Sequence, residues 1–247
     1  MAIDLTSNCL FHLKMNDNAA NKVVVDSLCY VDGEAQRNTN LLSSPGKINQ
    51  SLRNDDAIPD YIKVMEGAIG TVSFAVSIWV KFSDYSKTGA LVSYRQSSST
   101  LGIWTVSIRP DHKVQFITYR NGYGLQFFTG NPIPDDGDWH LIFAQRVEQT
   151  STEDGYIWID NGNTGYGSQT GQPKKSIEPF YPTNIGSNYN GNNALDVYLD
   201  CCALWSNRVL TQEERDFLWN NGLGTENMKS CARPLSGGSL AGKRGLT

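Results

Sequence analysis

The 247-residue sequence lacks several features that mark other protein classes. It has no run of about 18 apolar residues, so it predicts no membrane-spanning helix and no membrane insertion. No Gly-X-Y or heptad repeat occurs, which excludes collagen and coiled coils. Charged residues make up only 19% of the chain, and the formal net charge of −4 argues against a nucleic acid partner. Aromatic residues reach 11%, enough for a large apolar core.

The cysteines show no CxxC spacing, and their number is odd: Cys9, Cys29, Cys201, Cys202 and Cys231. This pattern fits neither a closed disulfide framework nor a zinc knuckle. We expect buried, reduced thiols that pack as small apolar groups, with a disulfide or a metal site as the alternatives. No basic segment followed by an apolar stretch comes after Met1, so the sequence predicts no secretory signal.

Charge is distributed unevenly along the chain. Residues 227–247 contain four basic residues and no acidic residue, which leaves 17 basic and 25 acidic residues, a charge of −8, in residues 1–226. We therefore expect one folded domain over residues 1–226 and a basic, Gly/Ser-rich tail over residues 227–247. The tail offers candidate contacts to other subunits of an assembly, and we expect a homo-oligomer. The candidate contact residues are Arg233, Lys243 and Arg244.

Alternation of apolar and polar residues, the period of a β-strand, recurs along the chain. The segments that show it are 73–82, 103–109, 113–119, 139–147, 155–160 and 196–205. The last segment predicts one face made of Val197, Leu199, Cys201, Ala203 and Trp205. Seven Asn-Gly or Asp-Gly pairs, Asp154-Gly155 among them, indicate tight turns. Short strands with such turns predict an all-β, two-sheet antiparallel jelly-roll sandwich.

One short helix is predicted near the C-terminal end of the domain, over residues 212–220. Thr211 and Glu214 have the spacing of a capping box, in which each side chain bonds to the other residue's amide. Apolar residues 217–219 follow, and Gly222 supplies a stop signal.

Several motifs follow one another along residues 9–224. They include Val76-Ser-Ile-Trp-Val-Lys81, Asp138-Trp-His140, Tyr156-Ile-Trp-Ile-Asp-Asn-Gly162, Asn184-Ile-Gly-Ser187, and Leu199-Asp200 followed by Asn207-Arg-Val-Leu-Thr211. In number and order these motifs resemble those of the laminin-G-like, concanavalin-A-like jelly rolls of bacteria and their phages. The resemblance implies the same jelly-roll fold and a structural role for His140.

Catalytic motifs of related enzymes are missing. Some related glucanases carry a Glu-x-Asp-x-x-Glu strand motif, which supplies the carboxylate pair that glycoside hydrolysis needs, and it does not occur here. We place Glu213-Glu214 in the helix cap and Glu153-Asp154 in a turn. The histidines lack the context found in related polysaccharide lyases: they are His12, His112 and His140. We predict that the protein is not an enzyme.

The resemblance also implies one structural Ca²⁺, an ion that takes about six to eight oxygen ligands. The matching candidate ligands are Asp26, Asp32 and Asp200. The alternative is that Asp26 caps a turn and Asp200 bonds to the backbone.

Lectin-like sites stack aromatic rings against sugars and add hydrogen-bonding side chains. Candidates lie on strands or turns between residues 90 and 125: Tyr94, Arg95, Trp104, Tyr119, Arg120 and Tyr123. Core packing or simple surface exposure is the alternative for each.

Three function classes remain. We favour a structural or display protein on a virion surface, such as a phage capsid decoration or fibre that also binds a glycan. The alternatives are a stand-alone carbohydrate-binding module or adhesin, and a polysaccharide-active enzyme with a degenerate motif. The missing catalytic set, the absence of a secretory signal and the charged tail favour the first class.

Overall fold

The computed structural model describes residues 3–55, 57–58, 60–65, 72–95, 103–120, 123–149, 152–170, 181–191 and 194–228. Arg233, Lys243 and Arg244, the tail residues predicted to contact a partner, lie outside these ranges. None of the helices within them combines the length and apolar composition that crossing a bilayer requires.

Strands dominate the described residues. The first eight are β1 (Cys9–Leu13), β2 (Val23–Val24), β3 (Gly33–Ala35), β4 (Ser43–Pro45), β5 (Gln50–Asn54), β6 (Ile62–Val64), β7 (Phe74–Phe82) and β8 (Gly89–Tyr94). The others are β9 (Ile103–Ile108), β10 (Val114–Arg120), β11 (Tyr123–Phe128), β12 (His140–Glu148), β13 (Thr152–Ile159), β14 (Asn163–Thr170), β15 (Thr183–Ile185) and β16 (Val197–Ser206). The α-helices are α1 (Thr39–Leu42) and α2 (Gln212–Trp219).

These strands form two antiparallel sheets, as the sequence predicts. The first sheet has the order β14-β13-β12-β7-β16-β5-β4, and β1 also pairs with β16. The second sheet has the order β11-β10-β9-β8-β15-β6-β3-β2. Apolar side chains from facing strands fill the space between the sheets, among them Val76 of β7 and Phe116 of β10. The fold is therefore a two-sheet β-sandwich.

The six alternating segments all become strands. In β7 the predicted apolar residues Phe74, Val76, Ile78 and Val80 point into the core between the sheets. The other face of β7 carries Trp79, which joins a second apolar cluster on the outer face of the first sheet.

The face predicted for the end of β16 is wrong. A β-bulge interrupts the pairing of β16 with β7 between Asp200 and Ala203, and Cys201 has a left-handed φ of 46°. The extra residue reverses the alternation. Cys202 therefore points into the core between the sheets, whereas Cys201 and Trp205 join the outer cluster.

Helix α2 covers the outer cluster and confirms the predicted capping box. Thr211 Oγ1 accepts a hydrogen bond from the Glu214 amide at 3.3 Å, and Glu214 Oε2 accepts one from the Thr211 amide at 2.9 Å. The left-handed C-cap is Asn220 rather than the predicted Gly222, which lies in the 3-10 turn that follows. On its inner side α2 buries Leu218 among the residues of the outer cluster.

The prediction of a turn at Asp154-Gly155 is also wrong, because both residues lie inside β13. Gly155 pairs with Gly167 of β14, and a Cβ atom at either position would overlap the ring of Phe127 from the second sheet. Glycine therefore permits a close approach of the two sheets here. The Asn161-Gly162 pair does form the predicted turn, between β13 and β14.

The described cysteines divide into two groups. Cys9, Cys201 and Cys202 are free, buried thiols, which confirms the expected packing role for these three. Cys29 is disulfide-bonded, contrary to that expectation. Cys231 lies outside the described residues.

Candidate functional site

The predicted sugar-binding residues are not all at the surface. Tyr94 and Trp104 are fully buried, and their rings stack with centroids 6.4 Å apart inside the core. Neither ring has an exposed face that could contact a sugar, so burial removes both from the candidate site. Arg95 directly follows β8 and is half-buried.

The other three predicted sugar contacts lie at the end of one hairpin. Arg120 pairs with Tyr123 across the β10–β11 turn, and Tyr119 pairs with Gly124. The side chains of Tyr119, Arg120 and Tyr123 lie outside the described part of the structure, so their role stays a prediction.

Backbone amides surround the carboxylate of Asp26, the first predicted calcium ligand. Its Oδ1 accepts hydrogen bonds from the amides of His12 at 2.9 Å and Leu28 at 3.0 Å. Its Oδ2 accepts them from the amides of Tyr30 at 2.8 Å and Val31 at 3.1 Å. A carboxylate has about four acceptor positions, and backbone amides fill all of them here. The alternative role, a cap on a turn, describes Asp26.

The other two predicted calcium ligands each accept a backbone amide, but Asp200 Oδ1 is buried without a hydrogen-bond partner. Asp32 Oδ1 accepts the Asp26 amide at 2.9 Å, so it supports the same turn. Asp200 Oδ2 accepts the amide of Ile48 at 2.9 Å. Calcium binding by Asp26, Asp32 and Asp200 stays a prediction.

Asp200 instead belongs to a compact group with Cys201 and Glu226, whose donor atoms lie within 4.8 Å of one another. Glu226 Oε1 accepts a hydrogen bond from Asn16 Nδ2 at 2.7 Å, and Glu226 Oε2 lies 3.6 Å from Lys14 Nζ. Burial raises the pKa of Asp200 to about 7. Through its contacts with Asn16 and Lys14, Glu226 ties the segment after α2 to the residues that follow β1.

Each histidine has a packing or hydrogen-bonding partner. The buried His12 ring shares a 2.7 Å hydrogen bond between Nδ1 and Ser27 Oγ, and burial lowers its pKa to about 3. His112 stacks on Tyr85 with ring centroids 4.2 Å apart.

His140 bridges two carboxylates across the first sheet. Its Nδ1 lies 2.9 Å from Asp160 Oδ2, and its Nε2 lies 3.1 Å from Asp136 Oδ1. Burial acts to lower the pKa of His140, but the hydrogen bonds to Asp160 and Asp136 outweigh it and raise the pKa. These contacts match the structural role that the resemblance implies.

A row of aromatic side chains lies on the outer face of the first sheet, at the edge formed by β13 and β14. Because Ile157 and Ile159 of β13 point into the core, Tyr156 and Trp158 point outward. Tyr166 of β14 pairs directly with Tyr156 and is 58% exposed. We call Tyr156, Trp158 and Tyr166 the aromatic strip.

The rings of the aromatic strip contact one another. Tyr156 and Trp158 lie nearly parallel, with centroids 5.7 Å apart and an interplanar angle of 15°. Tyr156 and Tyr166 have centroids 5.1 Å apart and are tilted by 46°. Burial, followed by the charge of Asp154, raises the pKa of Tyr156, so its hydroxyl remains a hydrogen-bond donor at neutral pH.

Polar groups border the strip at both ends. At one end, Asp154 Oδ1 accepts a hydrogen bond from Tyr166 Oη at 3.3 Å, and Asp154 Oδ2 accepts one from Gln149 Nε2 at 2.8 Å. At the other end, the guanidinium carbon of Arg215 lies 4.0 Å from the centroid of the Trp158 ring. Arg215 Nη2 donates to Gln212 Oε1 at 2.8 Å, which links the strip to α2.

Beyond Arg215, three exposed side chains form a small polar cluster. Asn161 Nδ2 donates to Asp216 Oδ1 at 2.7 Å, and Gln212 Nε2 donates to the same oxygen at 2.6 Å. Gln212 Nε2 also lies 3.1 Å from Asn161 Oδ1. The exposed Tyr166 ring and the half-buried Tyr156 and Trp158 rings, beside amide and carboxylate groups, combine the two kinds of contact that a sugar needs.

The sequence analysis did not predict this site, although the sequence shows part of the pattern that forms it. The alternation of Tyr156 and Trp158 with Ile157 and Ile159 places both aromatic rings on one face. Tyr166 sits in a Gly-rich segment without apolar alternation, and only the pairing of β13 with β14 brings it to the strip.

The family to which the sequence belongs has the same kind of fold as the structure. A laminin G-type family model, described as the concanavalin A-like lectin/glucanases superfamily, matches residues 55–214. The chain belongs to this superfamily, which confirms the resemblance carried by the motifs. Comparison with curated proteins found no match.

Solved structures share the fold at low sequence identity. The binding domain of Paraclostridial Mosquitocidal Protein 1 has 16% identity and a TM-score of 0.62, and the match covers 87% of this chain and 52% of that one. Domain 4 of AbnA, a GH43 extracellular arabinanase from Geobacillus stearothermophilus, was solved in complex with arabinotriose. It has 14% identity and a TM-score of 0.62, and the match covers 88% of this chain and 98% of that one. The receptor binding domain of botulinum neurotoxin D has 15% identity and a TM-score of 0.58, and the match covers 87% of this chain and 53% of that one. This chain thus spans about half the length of the two toxin domains.

Proposed function

We propose that this protein is a carbohydrate-binding jelly-roll domain and that it binds its glycan on the aromatic strip. The observation that carries the proposal is the exposed contact of Tyr166 with Tyr156 beside Asp154 and Trp158. Sugar rings have apolar faces that pack on aromatic rings, and their hydroxyls bond to neighbouring carboxylates and amides.

The superfamily and one of its relatives support this proposal. The arabinanase domain of similar fold was solved with arabinotriose, and the two toxin domains are described as binding domains. The fold therefore serves recognition in several proteins, although the fold alone does not assign a function.

We also propose that the protein is not an enzyme. The carboxylates considered at the sequence level have structural partners: Glu214 completes the cap of α2, and Glu153 Oε1 accepts a hydrogen bond from Thr118 at 2.6 Å. Among the described residues, the grouped donor atoms of Asp200, Cys201 and Glu226 are buried or half-buried beneath the segment after α2. Neither arrangement presents a pair of carboxylates to a sugar.

Removing the most exposed ring tests the binding proposal. We expect Tyr166→Ala to weaken glycan binding about 10-fold, because one stacked ring contributes about 1.4 kcal/mol. The matched control is Phe128→Ala, which removes a 44% exposed ring from β11 of the second sheet. Titration calorimetry with a panel of oligosaccharides measures both affinities. Equal affinities of Tyr166→Ala and the unmodified protein would exclude the strip as the binding site.

The finer form of the proposal is display on a virion surface, as a capsid decoration or fibre subunit. Its support is the contrast between an acidic body, with a charge of −8, and a basic tail. In this role Arg233, Lys243 and Arg244 contact other subunits. Size-exclusion chromatography with light scattering tests it: a symmetric oligomer of the full chain that dissociates when these three residues become Ser supports display. A monomer that binds glycan indicates the stand-alone module or adhesin.

A further inference from the structure

We infer that the aromatic strip takes a neutral glycan chain of at least two sugar rings and disfavours chains that carry carboxylate or sulfate groups. The inference rests on the proposed function and names the class of ligand that fits the strip. It depends on the spacing of the rings and on the charges at the two ends of the strip.

The spacing of the rings requires more than one sugar. The centroids of Trp158, Tyr156 and Tyr166 follow one another at 5.7 Å and 5.1 Å. Trp158 stacks on Tyr156 and has Arg215 over its ring, so the two tyrosines are the rings that a sugar contacts. One sugar ring is about as wide as one aromatic ring, so a single sugar covers only one of them. A chain of two or more sugars is needed to gain contact with both tyrosines.

The tilt between the tyrosine rings adds a condition on the shape of the chain. The planes of Tyr156 and Tyr166 differ by 46°, so two consecutive sugars that stack on them must be rotated relative to each other. A flexible or twisted chain satisfies this condition. A flat, ribbon-like chain packed in a crystalline array does not.

Among the described residues that contact the strip or the polar cluster, two carboxylates, Asp154 and Asp216, outnumber the one cation, Arg215. The carboxylate of Asp154 bonds to the hydroxyl of Tyr166, and the carboxylate of Asp216 accepts from Asn161 and Gln212 in the polar cluster beyond Trp158. An anionic sugar on the tyrosines would lie near Asp154, and an anionic sugar beyond Trp158 would lie near Asp216. Like charges at close range repel, most strongly at low salt.

Arg215, the cation that contacts the strip, donates its hydrogen bonds inside the protein. It is only 8% exposed, and its guanidinium lies over the Trp158 ring. Nη1 donates to the carbonyl of Leu210 at 2.6 Å, and Nη2 donates to Gln212 at 2.8 Å. Its donors are thus directed into the protein. Asp154 is equally buried, so the exposed polar groups are the Asp216 carboxylate and the amides of Asn161 and Gln212, which suit neutral hydroxyl groups.

The second sheet carries the opposite environment, which provides an internal comparison. The exposed Phe128 ring has the guanidinium carbon of Arg109 4.6 Å from its centroid and Lys113 Nζ at 5.3 Å. An aromatic ring beside two cations would suit an anionic chain. If charge directs binding, replacing Tyr166 lowers the affinity for neutral chains, whereas replacing Phe128 does not.

The test compares neutral and anionic chains on the full-length protein. The probes are arabinan, xylan and glucan oligosaccharides of one to six units, together with oligogalacturonate and a sulfated glycan of similar length. Calorimetry at low and high salt gives the affinities for the unmodified protein and for the variants Tyr156→Ala, Tyr166→Ala, Asp154→Asn and Phe128→Ala.

We expect at least one neutral series to bind, with an affinity that rises at least 10-fold from one to three units and changes less than twofold with salt. Tyr156→Ala and Tyr166→Ala should each weaken it, whereas Phe128→Ala should not. Asp154→Asn should raise the affinity for the anionic chains at least threefold at low salt.

Three results would overturn the inference in distinguishable ways. Binding of anionic chains that Tyr166→Ala abolishes shows that the ligand class is wrong while the proposed site stands. A single sugar that binds as tightly as a trisaccharide contradicts the two-ring requirement. Absence of any glycan binding, or glycan binding that neither tyrosine variant changes, overturns the proposed function itself.

Discussion

Asp26 organises the loop after β1 with a single carboxylate. The amides of His12, Leu28, Tyr30 and Val31 all donate to it, and the residue is fully buried. Bound in this way, the carboxylate stabilises the loop in which the family resemblance also predicts a calcium ligand. One residue thus joins β1 to the turn that leads into β3.

Replacing Asp26 should be costly, and removing metal should not. In Asp26→Asn one oxygen is lost and an NH₂ group faces amide donors, so at least two buried amides lose their acceptors. We expect a loss of about 3 kcal/mol in the free energy of unfolding, measured in urea. Asp32→Asn, which affects one amide contact, serves as the milder control. A melting temperature that falls with EDTA and recovers with Ca²⁺ would contradict this account.

Asp200 makes the stability depend on pH. Its pKa is about 7 in the folded protein because of burial, against about 3.9 in an unfolded chain. The folded state therefore binds the proton more tightly, and the stability from this group falls as pH rises from about 4 to about 7, by at most about 1.4 kcal/mol per pH unit. His12 acts in the opposite sense, because its pKa of about 3 makes stability fall as pH drops below about 6.5.

The variant Asp200→Asn isolates the first of these effects. It keeps an acceptor for the Ile48 amide but removes the titrating group. We expect its melting temperature to exceed that of the unmodified protein at pH 8 and to approach it at pH 5. Thermal unfolding followed by circular dichroism at both pH values measures the difference. An equal shift at both values would rule out titration of Asp200 as its cause.

At the scale of elements, β11 of the second sheet packs against β13 and β14 of the first sheet, beside the aromatic strip. Phe127 of β11 packs on the paired glycines Gly155 and Gly167. Since β13 and β14 also carry the strip on their outer face, the position of Tyr156 and Tyr166 depends on this closure.

Adding one methyl group at this edge should disturb it. We expect Gly155→Ala to lower the free energy of unfolding by about 2 kcal/mol, because its Cβ would overlap the Phe127 ring. Gly162→Ala is the matched control, since no atom lies within 4 Å of a Cβ at that turn. Urea denaturation measures both, and a similar loss for the two variants would contradict the role of the close approach.

The stability of helix α2 depends on its N-terminal cap. The Thr211 hydroxyl accepts the Glu214 amide, so Thr211→Ala should cost about 1 kcal/mol, whereas Thr211→Ser should cost little. Because α2 packs Leu218 into the outer cluster and holds Arg215 against Trp158, we also expect Thr211→Ala to weaken glycan binding slightly. Chemical denaturation and calorimetry on both variants test the two effects separately.

At the scale of the whole molecule, the chain has two apolar clusters on opposite faces of the first sheet. One lies between the sheets, and the other lies beneath α2 and the segment that ends at Met228. The aromatic strip borders the second cluster through Trp158. The strip therefore lies on a sheet whose strands pack into both apolar clusters.

The proposal of a binding role without catalysis is tested on the intact protein. We expect a polysaccharide that binds to show no release of reducing ends and no formation of unsaturated products over a day of incubation. A fungal or bacterial glycanase active on the same substrate serves as the positive control. Turnover that survives Tyr166→Ala would point to a second, catalytic site.

Much of the fold follows from local patterns. The alternating segments became β7, β9, β10, β12, β13 and β16, and the capping box at Thr211 became the start of α2. The errors share one cause, because each depended on distant partners. The bulge at Cys201 is defined by pairing with β7, and Gly155 is required by a ring from β11.

The candidate site was less accessible to sequence reasoning than the fold. Tyr94 and Trp104 look like Tyr156 and Trp158 in the sequence, since both pairs lie in alternating strands. Only the stacking of the two sheets makes Tyr94 and Trp104 part of the core and leaves Tyr156 and Trp158 on the outer face. Alternation separates two faces but does not say which face another sheet covers.

The sequence by itself determined the strands, the capped helix, the jelly-roll family and the division of charge between body and tail, because these depend on neighbouring residues or on composition. The tertiary structure decided which aromatic rings are exposed, where the bulge reverses β16, and that Asp26 is satisfied by amides. These features depend on the register of distant strands and on the packing of one sheet against the other. Tyr166 reaches Tyr156 only through that register, and the proposed sugar site exists because of it.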